Sequence, residues 1–184
     1  MPIPFATVAT DIRSGHEVVI KEGRVADAVR ASTSLPILFV PFLHKGRYLV
    51  DGGLVNPVPT STVSNMGADI LISVNLTAKP SVRRGLGRYR RSFPLAPRSP
   101  SMVEVFFKMI YTMQYEIAQA RTEIANVVIA PDCREFLWTD FHRAADIIKI
   151  GEVAAEEAAS RIKSLLPFFS DYCRVPIDIR RRAY

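Results

Sequence analysis

The sequence predicts an α/β fold in which a sheet is layered with flanking helices. Strand and helix patterns alternate along the first half of the chain, and two long helical patterns follow in the second half. Residues 68–76 (ADILISVNL) form a continuous apolar run, which is typical of a strand covered on both faces. With 184 residues, 48% of them hydrophobic, the chain can bury the core of one compact domain.

The first half contains short elements. Residues 5–10 (FATVAT) are apolar and β-branched, and residues 16–23 (HEVVIKEG) predict a second strand that ends in a glycine turn. Residues 25–32 (VADAVRAS) have helical spacing. A third strand is predicted within residues 46–53 (GRYLVDGG), and a short helix at 60–67 is closed by its final glycine.

The second half is mostly helical. Ser101 and Glu104 form a capping box that predicts the start of a long helix. One face of this helix carries an apolar stripe, which we interpret as core, with a lipid-facing surface as the alternative. The stripe consists of Met102, Phe106, Met109, Ile110, Met113 and Ile117. Residues 126–132 predict another buried strand, and a closing helix at 142–166 is expected to pack through small apolar contacts until Pro167 ends it.

The net charge of +6 comes from one segment. Residues 79–98 contain seven basic residues and no acidic one, and the surrounding residues 78–100 are rich in proline and glycine, so we predict a loop or insertion there. Such a segment favours binding to an anionic membrane surface, and the alternative is that it is a solvated linker. Nucleic-acid binding by the same loop, in which Tyr89 and Phe93 are interleaved, is less favoured, because the charge is confined to this one loop and no recognition motif accompanies it.

Several classes of site are disfavoured. No apolar run is long enough to cross a bilayer and no secretion signal is visible, so we expect a cytoplasmic protein. Cys133 and Cys173 lack metal-ligand spacing and are interpreted as reduced thiols, although a disulfide between them stays open. His16, His44 and His142 stand alone and predict surface or turn residues, so neither a metal nor an organic cofactor is expected.

Asp51 ends the third predicted strand and is followed by Gly52 and Gly53. An Asp-Gly pair after a strand is a common turn signal. It is also compatible with a reactive carboxylate at the carboxyl end of a strand, beside glycines that permit close approach of a backbone or a substrate. The sequence contains no GxSxG nucleophile motif, Walker phosphate loop, HExxH motif or paired CxxC.

A set of motifs runs along the chain in a fixed order: ATD (9–11), Gly15, AVRASTSLPILFVPF (28–42), LVDGGLVNPVP (49–59), GADILISVNL (67–76) and, more weakly, residues 145–158. Together they resemble, in family order, the second half of the catalytic domain of patatin-like phospholipases. It implies a layered α/β/α fold whose N-terminal part is missing, so that residues 1–184 are the C-terminal portion of one domain. Met1 would then be an internal start, a truncation or a gene-model boundary.

The resemblance also implies a serine lipid acyl hydrolase with a Ser-Asp dyad. In this family a serine in GxSxG attacks the ester carbonyl, the Asp of the Asp-Gly-Gly motif accepts its proton without a histidine, and a Gly-rich loop supplies the oxyanion amides. By match to the motif, Asp51 is the base and Gly52 and Gly53 complete the motif. Ser32 and Ser34 are expected to bond local backbone, so the chain holds no nucleophile and is expected to be inactive alone.

The implied substrates are phospholipid or lysophospholipid esters. The expected partners are the missing N-terminal half of the domain and an anionic membrane surface, which would add peripheral membrane contact to the cytoplasmic location. The alternative function is a non-catalytic module that binds a membrane or a protein partner through residues 79–98.

Overall fold

The structure is a computed structural model that describes residues 3–77, 99, 101–136 and 140–165. These residues contain six strands, four α-helices and two 3₁₀ turns, and the predicted α/β class is confirmed. The strands are β1 (Thr7–Asp11), β2 (Glu17–Ile20), β3 (Phe42–His44), β4 (Arg47–Asp51), β5 (Ile72–Val74) and β6 (Val127–Ile129). The helices are α1 (Val25–Ser32), α2 (Thr60–Ser64), α3 (Met102–Thr122) and α4 (Ala144–Ser164), with 3₁₀ turns at Gly52–Leu54 and Phe141–Arg143.

The first four strands form one antiparallel sheet with the order β2-β1-β4-β3. The central pair places Ala9 of β1 opposite Asp51 at the end of β4. Strands β3 and β4 are joined by a two-residue turn, Lys45 and Gly46, both with positive φ, and this geometry matches the twist of a tight hairpin. The sheet therefore fixes where β4 ends.

Helix α1 covers one face of this sheet and forms the core with it. The helix is short and presents two small buried residues, Ala28 and Ala31, so its backbone approaches the sheet closely. They pack against Ala9, Ile20 and Leu49, and the last of these is fully buried. This cluster keeps the two central strands and α1 together, because burying apolar side chains is the main stabilising contribution to folding.

The segment after β4 lies partly on the other face. Thr62 of α2 and the buried Asn56 both donate hydrogen bonds to the carboxylate of Glu17 at the start of β2. Thr60 of α2 is also buried and shares a hydrogen bond of 2.7 Å with the hydroxyl of Ser73 in β5. Gly67, with a φ of 90°, follows α2 in the role that the sequence predicts for it.

Strands β5 and β6 form a separate parallel pair. The expectation that residues 68–76 are covered on both faces is wrong for the described chain, since Ile72 is 46% and Val74 52% exposed while Ser73 between them is buried. The apolar run identified a strand correctly, but the described elements cover only one of its faces.

Helix α3 begins with the predicted capping box, in which Ser101 and Glu104 each satisfy a free amide of the other. The interpretation of its apolar stripe as core is wrong for the three methionines. Met102, Met109 and Met113 are 84%, 51% and 55% exposed. The face that packs inward instead carries Ala118 and Thr122, both buried, so α3 has one apolar side that the described residues leave open.

Helix α4 follows the second 3₁₀ turn and is the closing helix that the sequence predicts, and none of its described residues is buried. It contacts β6. Within the described ranges, no helix has both the length and the apolar character needed to cross a bilayer. The predicted basic loop at 79–98, Pro167 and Cys173 lie outside the described residues.

Candidate active site

The main chain of Asp51 is held from two sides at the end of β4. Its N–H donates to the carbonyl of Ser34, which follows α1, at 2.9 Å. Its carbonyl accepts a hydrogen bond of 2.9 Å from the hydroxyl of Thr10 in β1. Because α1 and β1 are independent elements, the position of Asp51 depends on the packing of the whole antiparallel sheet.

The side chain of Asp51 is half-buried and forms one hydrogen bond within the part of the chain that the structure describes. The backbone N–H of Gly53 donates to its Oδ1 at 2.6 Å, so the turn interpretation of the Asp-Gly pair is correct for this bond. Burial raises the pKa of the Asp51 carboxyl above its ordinary value, and the bond from Gly53 opposes that shift in part. A carboxylate with a raised pKa is a better base than a solvated one.

Gly52 lies against the backbone of β1. A Cβ at this position would be 2.2 Å from the carbonyl oxygen of Val8 and 2.7 Å from its carbonyl carbon, distances that no side chain can occupy. The sequence predicted that these glycines permit close approach of a backbone, and for Gly52 the structure confirms it. The first 3₁₀ turn can therefore form only because residue 52 lacks a side chain.

Gly53 has a different neighbour. A Cβ there would lie 2.6 Å from Nε2 of Gln114 in α3 and 2.8 Å from Oδ1 of Asp51. Helix α3 thus brings a side-chain amide to the same small space that the carboxylate borders. Gln114 was not predicted from the sequence, because it lies in another element and no local pattern distinguishes it from the other polar residues of α3.

The serines of the Ala-Ser-Thr-Ser stretch bond backbone, as predicted. The hydroxyl of Ser32 donates to the carbonyl of Val8 at 2.8 Å, and that of the fully buried Ser34 donates to the carbonyl of Arg30 at 2.6 Å. Ser34 also accepts a hydrogen bond from the Arg30 guanidinium. Both hydroxyls therefore support the sheet and α1.

A second polar cluster, formed around Asn56 and Glu17, was not predicted from the sequence. Asn56, which is 2% exposed, donates to Glu17 at 3.0 Å, while the Oδ1 of Asn56 has no hydrogen-bond partner among the described residues. An Asn between Val55 and Pro57 in an apolar stretch was the signal available, since a buried amide in such a place needs polar partners. The cluster connects β2 to the segment that follows residues 51–53, which we call the Asp-Gly-Gly corner.

The histidines are dispersed across the described chain. His16 and His142 are exposed, and His44 in β3 stacks on the ring of Phe42 with a centroid distance of 6.4 Å. Within residues 3–77, 99, 101–136 and 140–165, no three His, Cys, Asp or Glu side chains are placed so that they could hold a metal ion.

Comparison with known proteins gives three related findings. A family model described as Patatin-like phospholipase matches residues 2–63. Two uncharacterised NTE family proteins of Mycobacterium tuberculosis are similar to the chain, one at 38% identity over 76 residues (41% of this chain, 21% of the relative), the other at 35% over 170 residues (86% and 29%). A lysophospholipase of Aspergillus terreus is 22% identical over 174 residues, covering 88% of this chain and 11% of that protein. The chain spans less than a third of the length of these curated relatives.

Proposed function

Because the chain belongs to the patatin-like phospholipase family, we propose that it forms part of a lipid ester hydrolase in which Asp51 is the general base. The observation that carries the proposal is the placement of the Asp51 carboxylate. It is half-buried at the end of β4, and its backbone is bonded to β1 and to Ser34, two residues after α1. Among the described residues, the N–H of Gly53 is its one hydrogen-bond donor and orients one of its oxygens, which leaves the other oxygen able to accept a proton.

The proposed reaction is an acyl transfer to a serine. The serine oxygen attacks the ester carbonyl while its proton passes to Asp51, and Asp51 then returns that proton to the departing alcohol. In the second half, Asp51 takes a proton from the water that attacks the acyl-serine. The bond between the acyl carbon and the serine oxygen then breaks, the fatty acid leaves, and Asp51 returns the proton to the serine oxygen. The nucleophile and the oxyanion donors would come from residues outside this chain, since the sequence has no GxSxG motif.

The electrostatic environment supports the role of Asp51. A carboxylate in water is a weak base for an alcohol, so a useful base needs a raised pKa and donors must stabilise the developing oxyanion. Burial supplies the first of these for Asp51, and the Gly53 N–H fixes the orientation of the carboxylate. We propose phospholipids or lysophospholipids as substrates, and the relatives named as lysophospholipases support this class.

The test is Asp51→Asn in the full-length protein, with release of fatty acid from a lysophospholipid as the measurement. Removing a general base lowers turnover by about 10²–10⁴-fold, and we expect a loss in that range with an unchanged circular dichroism spectrum. The matched control is Asp69→Asn, because Asp69 is exposed and lies outside the corner. An Asp51→Asn protein that keeps its turnover would contradict the proposed role.

A second candidate function is binding to an anionic membrane surface. The observation that favours it is the exposed side of α3, where Met102, Met109 and Met113 lie on one face of the helix. In the sequence, the segment 79–98 with its seven basic residues precedes this helix. Each Lys or Arg close to an anionic surface contributes about 1 kcal/mol to membrane binding. An apolar helix face together with a basic segment is the usual combination of a peripheral membrane protein.

Sedimentation with vesicles tests this second function. We expect binding to vesicles that contain phosphatidylserine, weaker binding at high salt, and a further loss when Met109 and Met113 are both changed to Asn. Val153→Asn is the matched control, since Val153 is a comparably exposed apolar residue on α4. Equal binding to neutral and anionic vesicles, or unaltered binding by the methionine variant, would eliminate the proposal.

A further inference from the structure

Helix α3 crosses the Asp-Gly-Gly corner at Gln114. The side chain of Gln114 is half-buried, and its Nε2 lies 2.6 Å from the position that a Cβ of Gly53 would occupy. Oδ1 of Asp51 lies 2.8 Å from the same position. The amide and the carboxylate therefore border one small space, and this space exists because residue 53 has no side chain.

Glycine at position 53 leaves this space open, because any side chain there would fill it. Gly53 lies inside the 3₁₀ turn without a positive φ, so its backbone conformation is open to other residues. Gly52 meets the rigid main chain of β1, whereas Gly53 meets the end of a flexible side chain and the Asp51 carboxylate. A residue larger than glycine at 53 would separate Gln114 from Asp51.

The amide of Gln114 is available for this contact. Among the described residues, its side chain makes no hydrogen bond, so both of its N–H donors are free. From the described residues, the Asp51 carboxylate accepts one hydrogen bond, from Gly53, and a carboxylate can accept more. The primary amide and the partly bonded carboxylate are a matching donor and acceptor, and their Nε2 and Oδ1 atoms both lie within 2.8 Å of the position that a Cβ of Gly53 would occupy.

Resting on the proposed function of Asp51, we propose that Gln114 is a positioning residue, whose side-chain amide donates a hydrogen bond to the Asp51 carboxylate and holds it for proton transfer. With the backbone N–H of Gly53, it gives the carboxylate two fixed donors from two different elements. The contact also makes the orientation of the base depend on the docking of α3.

The titratable groups near the contact do not compete with it. On α3, Tyr111 precedes Gln114 by about one turn, and burial raises its pKa, so it is neutral where carboxylates titrate. On β1, which packs against the 3₁₀ turn, Asp11 is occupied by the backbone N–H of Arg13, and its pKa is lowered mainly by that bond. A change in the pH dependence after substitution of Gln114 therefore reports on Asp51.

A hydrogen bond donated to a carboxylate stabilises its ionised form and lowers its pKa, so removing the donor raises the pKa of Asp51. Gln114→Met keeps the length of the side chain but removes the donor, and Gln114→Glu keeps the shape but adds a like charge. We expect the acid limb of the kcat/KM profile to move to higher pH in the Met variant and further in the Glu variant. On the acid side of the profile, the Met variant should lose about tenfold in kcat/KM, which is the effect of one hydrogen bond to a charged group.

The experiment compares the kcat/KM profiles of four variants of the full-length protein, Gln114→Met, Gln114→Glu, Gln119→Met and Asp51→Asn. Carbon NMR titration of the Asp51 carboxyl is added for wild type and the three glutamine variants. Gln119 is the matched control, being the same residue on the same helix but exposed. The expected result is an upward shift of the Asp51 titration in the order wild type, Met, Glu, with Gln119→Met unchanged. The NMR titration reports on the contact even without turnover.

The possible outcomes separate this inference from the proposed function. If Asp51→Asn keeps its turnover, the function of Asp51 is wrong, whatever Gln114 does. If Asp51→Asn is inactive but the titration of Asp51 is the same in wild type and in both Gln114 variants, the positioning role is wrong. Where one Gln114 variant fails to fold, the other supplies the titration, since the two differ in charge but not in length.

Discussion

The closest backbone approach in the candidate site gives the sharpest test of the fold. Gly52→Ala would place a Cβ 2.2 Å from the carbonyl oxygen, 2.7 Å from the carbonyl carbon and 3.2 Å from the Cγ1 of Val8. All three atoms belong to one residue of β1, which is paired with β2 on one side and β4 on the other. Val8 therefore cannot move away alone, and the corner after β4 must shift.

The cost of that shift can be estimated from the contacts it breaks. A carbon and an oxygen approach no closer than about 3.3 Å, so the chain must move by about 1 Å. This displaces the hydrogen bonds of Asp51 to Ser34 and Thr10, each worth about 1 kcal/mol, and overpacking adds about 1–3 kcal/mol. We expect a total loss of about 3–5 kcal/mol in the free energy of unfolding.

Urea denaturation followed by circular dichroism measures this loss. Gly151→Ala is the control, because Gly151 lies within α4, has no atom within 4 Å of an added Cβ, and should gain about 0.5–1 kcal/mol in helix stability. A Gly52→Ala protein that fails to fold agrees with the estimate. A loss below about 1 kcal/mol would refute the close packing of the corner on β1, since one hydrogen bond alone accounts for that much.

Two further predictions concern the same corner. Ser32→Ala removes the hydrogen bond to Val8 and should lower the free energy of unfolding by about 1 kcal/mol in the same assay while ester turnover is kept, whereas lost turnover at unchanged stability would point to a catalytic serine. Because burial raises the pKa of Asp51, its ionised form is disfavoured in the folded state, so the contribution of Asp51 to stability is greatest below the ordinary carboxyl pKa and falls as pH rises through the folded value. Asp51→Asn should therefore be more stable than wild type at pH 7 and lose that advantage in acid, and equal stabilities at both pH values would contradict the effect of burial.

Elements with local signals could be predicted from the sequence. The helix at 25–32, the capping box at Ser101 and the strand that ends on Asp51 each depend on residues within one or two turns of each other, and all three are observed. The backbone bonding of Ser32 and Ser34 also followed from short polar side chains beside a helix end.

Features that depend on pairing between distant segments could not be predicted. Nothing in the sequence around Gly52 indicates that Val8 lies against it, since that contact requires β1 and β4 to be neighbours in the sheet. Gln114 approaches Asp51 only because α3 docks on the 3₁₀ turn. The apolar stripe of α3 was recognised, but periodicity does not tell which face is covered, and its methionines are exposed.

The contacts of Asp51 favour a chemical role over a purely structural one. A structural turn needs the bond from Gly53 alone, yet the main chain of Asp51 is also fixed by Ser34 and Thr10. Among the described residues, no cation pairs with the half-buried carboxylate, so its ionisation costs stability that folding does not recover. A rigid backbone that holds a charge at a net cost is the arrangement expected where the charge serves a reaction, since such costs persist in proteins mainly at functional sites.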